Sequence, residues 1–496
     1  MIRNPPPRPM HRPKLRIAAL SCVVLASCTV GPEYKRPAEP VPQAFKEQGP
    51  WREAVPQDAV AKGSWWEVFG DPGLNEIEQK ARAGNLQLKQ AQARVEQARA
   101  VAGIADSYFY PTIDLSVNAA RAGVSGNRPD QPSKLPGNVA YVTNAYRVPL
   151  YASYELDIWG KVRNQSKAAT ARAEASLAQY YTILLTLEGE VARVYFLLRA
   201  NDAELVILKG GIASRERALE LVLARQRGGL ASKLDVLRAQ TEVATTQAEY
   251  EGTTRRRADL ENALAVLLGQ TPEAFSLAMQ AIAPMVPPRV PIGLPSDLLE
   301  RRPDVAEAER LLIARNAEIG VAKAAYFPSI KLIGGIGYES NELQTLLNRD
   351  SMIWALGASL AQPVFDGGRI SANVQRVEAA YKENLAAYQE RLLVAFGEVE
   401  SALAGLRILQ LQAEAQARAV DSAEEATRLA TVRYKSGLVE FLDVLDAQRT
   451  SLQAQRQLVL VQSQQLTTTI GLIKAIGGGW EERVPLTSKP AAQPSS

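Results

Sequence analysis

Asp443 and Asp446 stand three residues apart in the segment Phe441-Leu-Asp-Val-Leu-Asp-Ala-Gln448. On a helix that spacing puts both carboxylates on one face, where they would hold cations and repel anions. A local alternative stands beside it: acids in the first turn of a helix favour its positive N-terminus whatever else they do. Cys28, closing Leu25-Ala26-Ser27-Cys28, is the other residue with chemistry to offer, because His11 and Cys22, the single His and the other of the two Cys, both precede it. Downstream of Cys28 the chain therefore has no imidazole and no second thiol. That excludes Ser-His-Asp and Cys-His nucleophiles, His general bases, His or Cys metal sites and disulfides. No phosphate-cradling Gly-x-x-x-x-Gly-Lys-Ser/Thr occurs, and Gly334-Gly-Ile-Gly337 lies in a strand pattern with no helix after it. Asp/Glu pairs and Ser-Lys dyads need no His, but the reading is that the chain is not an enzyme and carries no cofactor beyond a covalent lipid on Cys28.

The two aspartates belong to a sentence written twice. Arg225-Gln-Arg-Gly-Gly-Leu-Ala-Ser-Lys-Leu-Asp-Val-Leu-Arg-Ala-Gln240 returns as Arg433-Tyr-Lys-Ser-Gly-Leu-Val-Glu-Phe-Leu-Asp-Val-Leu-Asp-Ala-Gln448, identical at nine of sixteen positions. Each copy sits between Ala-, Leu-, Glu-, Gln- and Arg-rich runs, so each reads as a helix, a Gly-Leu turn and a second helix. A true repeat keeps one offset. Gly229 and Gly437, Gly189 and Gly397, Gly160 and Gly368, and Gly269 and Gly477 all stand 208 residues apart, while Tyr110-Pro-Thr-Ile and Phe327-Pro-Ser-Ile stand 217 apart. The chain is a duplicated helical hairpin, with nine extra residues in the first copy between Pro111 and Gly160. Gly189 and Gly397 recur inside long helices, where each costs about 1 kcal/mol against Ala, and so point to close backbone approach. Lys209-Gly210-Gly211 has no counterpart and reads as a bend peculiar to copy one.

Residues 1–27 carry five Arg or Lys, no acid, and an apolar run from Ile17 to Ala26, the pattern of a secretory signal peptide. Its last four residues, 25–28, resemble a bacterial lipobox, which implies a mature chain beginning at a lipidated Cys28; Thr29, not Asp, follows and implies sorting to the outer membrane. Five of the 57 Lys+Arg and none of the 53 Asp+Glu lie in that leader, leaving 52 against 53. The basic balance thus belongs to the leader and gives no support to nucleic-acid binding.

After an extended Pro-rich tether (28–64), Trp65-Trp66 opens the folded part and Leu86 to Asp106 reads as a helix. Beyond Pro111 the period changes to two: strands are expected over about 112–121 and 140–156, and in the second copy over about 329–339 and 352–365. Lys161 to Arg227 and Arg369 to Lys435 are helices of about 100 Å each, and the stretches after the turns at 227–231 and 435–439 are about 55 Å. Two shorter helices stacked beside each long one give a tube about 100 Å long with strand hairpins at one end and Gly-Leu turns at the other. No helix is apolar enough to cross a bilayer, since Glu188, Glu190 and Arg193 interrupt the most apolar run. Crossing therefore falls to a barrel, and four strands per chain are fewer than the roughly eight that a barrel needs. Strands must then be pooled between copies. The remaining divisions are a first repeat over 65–269, a Pro-rich connector over 270–302, a second repeat over 303–479 and a disordered tail over 480–496.

The lipobox, Val30-Gly-Pro-Glu-Tyr-Lys-Arg-Pro37, Trp65-Trp66, Gly293-Leu-Pro-Ser-Asp-Leu-Leu-Glu-Arg-Arg-Pro-Asp304, Phe365-Asp-Gly-Gly-Arg369 and both Asp-Val-Leu tips closely resemble the outer-membrane efflux lipoprotein family, the TolC-like channels of the NodT type. The resemblance runs from Leu25 to about Gly479. It implies a mainly α fold with a membrane β-barrel: a homotrimer whose α-helical periplasmic tunnel is capped by a shared twelve-stranded barrel, anchored in outer-membrane lipid. Its implied partners are a periplasmic adaptor and an inner-membrane RND-type transporter, for which it is the passive exit duct for drugs or other small molecules. By that resemblance Arg225, Gly229 and Leu230 with Arg433, Gly437 and Leu438 are adaptor-docking tips, and Asp443 and Asp446 match the aspartates that ring the narrowest point. Copy one has Asp235 but Arg238 at the equivalent places, so one repeat alone carries the acidic pair. A periplasmic adaptor lipoprotein would have one hairpin and no strand pairs, and a purely structural coiled-coil lipoprotein leaves the alternating strands unexplained.

Overall fold

The computed structural model describes residues 29–38, 46, 64–126, 140–280, 288 and 302–478. The leader with Cys28, most of the tether, the 127–139 loop, most of the connector and the tail lie outside the described residues. Twelve helices and strands follow in order: α1 (Pro72–Gly84), α2 (Leu86–Ser107), β1 (Thr112–Leu115), β2 (Asn118–Val124), β3 (Tyr141–Glu155), α3 (Lys161–Arg227), α4 (Lys233–Leu267), α5 (Pro303–Ala324), β4 (Ser329–Ser340), β5 (Met352–Ala361), α6 (Arg369–Lys435) and α7 (Phe441–Ala475). The duplication is visible to the residue. α3 and α6 have 67 residues each, α4 and α7 have 35, and α2 and α5 have 22. Chain contacts divide the molecule into two compact units, one of residues 1–37, 96–174 and 309–386, the other of residues 38–95, 175–308 and 387–496.

The first unit holds one antiparallel sheet along the path β1-β3-β4-β5, with β2 also paired to β3. The single strand expected over 112–121 is therefore interrupted. Ser116 and Val117 separate β1 from β2, and Ser116 N–H donates to the Pro149 carbonyl across the gap (3.1 Å). Pro149 has no N–H of its own to give to the ladder. β5 stops at Ala361, short of the expected 365, because Pro363 cannot donate within a ladder. Register sorts the faces. Leu115, Leu150, Ile336 and Trp354 form one cross-strand row, and Tyr154, Leu332 and Ala358 another on the same face. Leu115, Leu150, Ile336, Trp354, Leu356 and Leu360 are all exposed. The opposite face carries Asp114, Tyr151, Gly335, Ala355 and the Arg147–Glu339 ion pair (2.6 Å). Such alternation is what a sheet wetted on one side and greased on the other requires.

Residues 29–37 correct the tether reading, because they lie along the protein. Val30 N–H donates to the Trp159 carbonyl (3.0 Å), Asn164 Nδ2 donates to Val30 O (3.2 Å), and Asn316 Nδ2 donates to Pro32 O (2.9 Å). Pro and Gly in this stretch leave backbone carbonyls unused, and two asparagine amides satisfy them. The long helices in this unit start on aspartates. Asp157 accepts from Val162 N–H and Arg163 N–H (both 2.9 Å), and Asp366 accepts from Gly368 N–H (3.0 Å) and Ile370 N–H (2.9 Å).

The second unit has a core drawn from both repeats: Trp65, Trp66, Leu74 and Ile77 pack with Tyr195, Phe196, Leu264, Leu403 and Ile470. Gly84 and Gly269 meet there so closely that a Cβ on Gly84 would run into the Leu268 carbonyl, and Asn85 Nδ2 seals the junction by donating to Leu267 O (2.8 Å). Arg302 binds Asp304 (2.7 Å), Glu398 (2.6 Å) and the Ala475 carbonyl (2.9 Å), so the end of the Gly293–Asp304 motif ties the start of α5 to α6 and α7. Gly189 and Gly397 do not make the expected close backbone approach within the chain. A Cβ on Gly189 would meet Lys474 and Ile470 at ordinary contact distance (3.7 and 3.8 Å), and one on Gly397 would meet nothing within 4 Å. The 210–211 pair does not interrupt α3, and Gly211 instead makes room for the Leu452 side chain (3.2 Å from a Cβ). Among the described residues no helix is long and apolar enough to cross a membrane.

Candidate functional site at the hairpin tips

Both turns are built the same way, from the end of one helix and the start of the next. Arg225 and Arg227 fill the last turn of α3, and Arg433 and Lys435 that of α6, where cations favour the negative helix end. Gly229 (φ 75°) and Gly437 (φ 78°) then take the left-handed conformation that ends the helix. Leu230 N–H donates to Arg225 O (2.8 Å) and Leu438 N–H to Arg433 O (2.9 Å), the long bond of a Schellman cap. Leu230 and Leu438 are left 72% and 69% exposed, so each tip ends in an unsheltered leucine.

The following helices are capped by the shared aspartate. Asp235 Oδ2 accepts from Ser232 N–H (3.1 Å) while Ser232 Oγ accepts from Asp235 N–H (3.1 Å). Asp443 Oδ2 likewise accepts from Glu440 N–H (3.1 Å). Asp443 is thus engaged at the helix start in the same role as its repeat partner. Asp446 is exposed and makes no hydrogen bond or ion pair among the described residues, whereas Arg238 at the equivalent place sits 3.9 Å from Asp235. Copy one neutralises its tip and copy two leaves a carboxylate to solvent.

Three contacts at and behind the tips join the copies and were not foreseen from the sequence. Arg225 Nη1 donates to the Tyr434 carbonyl (2.5 Å) with its guanidinium 4.7 Å over the Tyr434 ring. Tyr434 packs with Val222, Val236, Phe441, Val444 and Leu445 beneath it. Further along, Arg449 Nε donates to Glu242 (2.9 Å) and Arg215 lies 3.5 Å from the same carboxylate. Burial opposes the Glu242 charge, but the hydrogen bonds and charge of Arg449, with Arg215 behind them, hold its carboxyl below the usual range. A signal was present in the sequence. Arg215, Glu242 and Arg449 face Ala423, Thr450 and Thr241 in the other copy, so charge differs between the repeats at all three places.

A second group of charges lies in the core of this unit. Glu188 accepts from Trp65 Nε1 (2.8 Å) and Arg82 Nε (2.7 Å), and burial outweighs those partners and raises its carboxyl. Glu78 beside it is 0% exposed with neither oxygen hydrogen-bonded, and burial first, then the Glu188 charge, push it up to about 9. At neutral pH Glu78 is a protonated acid. Among the described residues no group of three or more His, Cys, Asp or Glu side chains is placed to hold a metal ion.

The profile of the outer membrane efflux protein family matches residues 77–270 and 294–478, one span for each repeat. The chain belongs to the outer membrane efflux protein family. It is the outer-membrane exit channel of an efflux system. This efflux protein is 34% identical over 470 residues to the solvent efflux pump outer membrane protein SrpC of Pseudomonas putida, covering 92% of this chain and 97% of that one. It is 33% identical over 485 residues to the outer membrane protein OprJ of Pseudomonas aeruginosa, covering 95% and 98%. Among solved structures it superposes on the outer-membrane channel OprN with a TM-score of 0.84 at 27% identity, over 91% of this chain and all (100%) of that one. On the open state of the Neisseria gonorrhoeae MtrE channel the TM-score is 0.79 at 30% identity, over 91% and 98%. Members of this family are channels and transport components.

Proposed function

We propose that three copies of this efflux protein pool their sheets into one twelve-stranded barrel and their helices into a hollow periplasmic duct. The observation that carries the reading is the sheet itself. Its β1/β2 edge and its β5 edge pair with nothing among the described residues, while one face exposes Leu115, Leu150, Ile336, Trp354, Leu356 and Leu360. Open edges are a liability that closure removes, and a lipid-facing band explains the exposed leucines and Trp354. In this reading Cys28 carries the acyl anchor, the repeats over 65–269 and 303–479 form the wall, and the 270–302 connector girdles it. The Arg225–Leu230 and Arg433–Leu438 tips dock a periplasmic adaptor, which couples the duct to an inner-membrane RND-type transporter. Threefold symmetry would gather the Asp446 carboxylates into one ring with the Asp443 caps behind them. Such a ring retains cations and repels anions, so it acts as the gate. The duct works without catalysis and without a cofactor other than the lipid. Purified protein run on a gel with and without heating, then reconstituted in planar bilayers, tests the reading. A heat-modified trimer band and ion conductance are expected, and a monodisperse monomer with no conductance would overturn it.

A further inference from the structure

The N-terminal segment carries a second, positional role. Residues 29–37 are held at five levels by both repeats at once. The Thr29 methyl packs where a Gly160 side chain would stand, and Val30 is bonded in both directions, to Trp159 O and from Asn164. Gly31 lies so close to Gly320 of α5 that a Cβ on either residue would collide with backbone or with the Asn164 amide. Asn316 holds the Pro32 carbonyl, and Arg36 grips Glu309 through Nε (2.8 Å) and Nη2 (2.5 Å). Arg36 keeps the Glu309 carboxyl below the usual range although burial opposes it. Trp159, which receives the first of these bonds, is itself fixed. Its Nε1 donates to Pro328 O (2.9 Å) and its ring stacks on Phe327 at 4.6 Å, immediately before β4 begins at Ser329. β3 ends at Glu155, so the segment is bonded to the chain where the two central strands leave the sheet.

We propose that residues 29–37 are a rigid bracket that sets the depth of the acyl anchor relative to the sheet, the positioning residues being Asn164, Asn316, Gly31 and Gly320. The inference rests on the reading that Cys28 is lipidated. Cys28 is one peptide unit, about 3.8 Å between Cα atoms, from Thr29. Thr29 packs on Gly160, five residues beyond the end of β3, so acyl chains on the preceding residue start from the end of the sheet where β3 ends, β4 begins and Ile330 pairs with Leu360. Acyl chains and the apolar strand face must both enter hydrocarbon, and a bracket makes the two insertions one event by raising the effective concentration of sheet at the bilayer. A flexible tether would leave them independent.

The test uses full-length lipidated protein in phosphatidylethanolamine/phosphatidylglycerol nanodiscs, with the mass of the N-terminal peptide reporting acylation and hydrogen exchange reporting the bracket. With Cys28 acylated, the Val30 amide, which donates to Trp159 O, exchanges at least about a hundredfold slower than in a free chain if the bracket holds. The Asn164→Ala/Asn316→Ala variant loses that protection while α3 and α5 keep theirs. A flexible Gly/Ser insertion between Cys28 and Thr29 slows assembly of the heat-modifiable oligomer by about tenfold, as expected when effective concentration falls. An acylated chain with an unprotected Val30 amide, or an insertion that leaves the assembly rate unchanged, overturns the bracket. An unacylated Cys28 with a protected Val30 amide overturns the lipidation reading instead, and the depth claim with it.

Discussion

The carboxylates of the core and those of the tips do opposite work with the same chemistry. In the core, Glu188 and Glu78 are both buried, one shared between Trp65 and Arg82, the other with neither oxygen hydrogen-bonded. At the tips, Asp443 and Asp446 are both exposed, one spent on a helix cap and the other in no hydrogen bond or ion pair among the described residues, with Arg449 feeling its charge. A buried carboxylate must be paired or protonated, because desolvation penalises its charge. An exposed one keeps its charge and acts outward, where salt screens it. Burial, not residue type, decides whether an acid is spent on the fold or keeps its charge toward solvent.

The largest effect should come from breaking the paired core acid. Glu188→Ala leaves the Arg82 guanidinium and Trp65 Nε1 without their acceptor and should cost roughly 3–5 kcal/mol, read as a fall in the apparent melting temperature in detergent. An unchanged melting temperature would place Glu188 with the tip acids in this comparison. Next in size, Glu78→Gln should stabilise the protein at neutral pH. The folded-state pKa of Glu78 is raised to about 9 from its ordinary 4.5, so its contribution is fully present below about 4.5 and is lost as pH rises toward 9. At pH 7 holding that proton costs about 3 kcal/mol, from 1.36 kcal/mol per unit. Glu78→Gln should therefore melt higher than the parent at pH 8 and match it near pH 4.5, and a parallel pH dependence in both proteins would remove Glu78 as its source.

At the tips the effects shrink. Asp443→Ala and Asp235→Ala each remove the acceptor for one helix-start N–H and should cost about 1 kcal/mol, with Asp235→Ala the larger because it also loses the Ser232 hydroxyl bond and its Arg238 neighbour. A larger loss for Asp443 alone, in the same melting assay, would give it a role beyond the cap. Asp446→Ala should change stability by less than about 0.5 kcal/mol, since it breaks no bond. Its effect should appear in single-channel records as weaker cation block and higher conductance, and Arg238→Ala should leave cation block unaltered. Identical records for Asp446→Ala and the parent would end the case for a gate at that residue.

Much of this was legible in the chain. The 208-residue offset, the left-handed glycines at both tips and the helix spans follow from local pattern, and α3 and α6 occupy the residues that pattern assigns to them. Local signals serve here because a helix and its caps are closed within a few residues of sequence. What escaped was nonlocal. The interruption at Ser116 and Val117 is set by pairing to β3, and the Arg215–Glu242–Arg449 cluster joins positions more than two hundred residues apart. Glycine recurrence at 189 and 397 misled, because a repeated residue need not mark a contact inside one chain.

The sequence by itself determined that this is a duplicated hairpin of long helices with short alternating strands, lacking imidazole after His11, because periodicity, turn chemistry and composition are properties of neighbours. Tertiary structure alone decided which residues share a cross-strand row, that residues 29–37 lie against both repeats, and that Glu78 is fully buried. Each of those depends on what segments distant in the chain bring alongside, and burial, register and desolvation exist only once they have met.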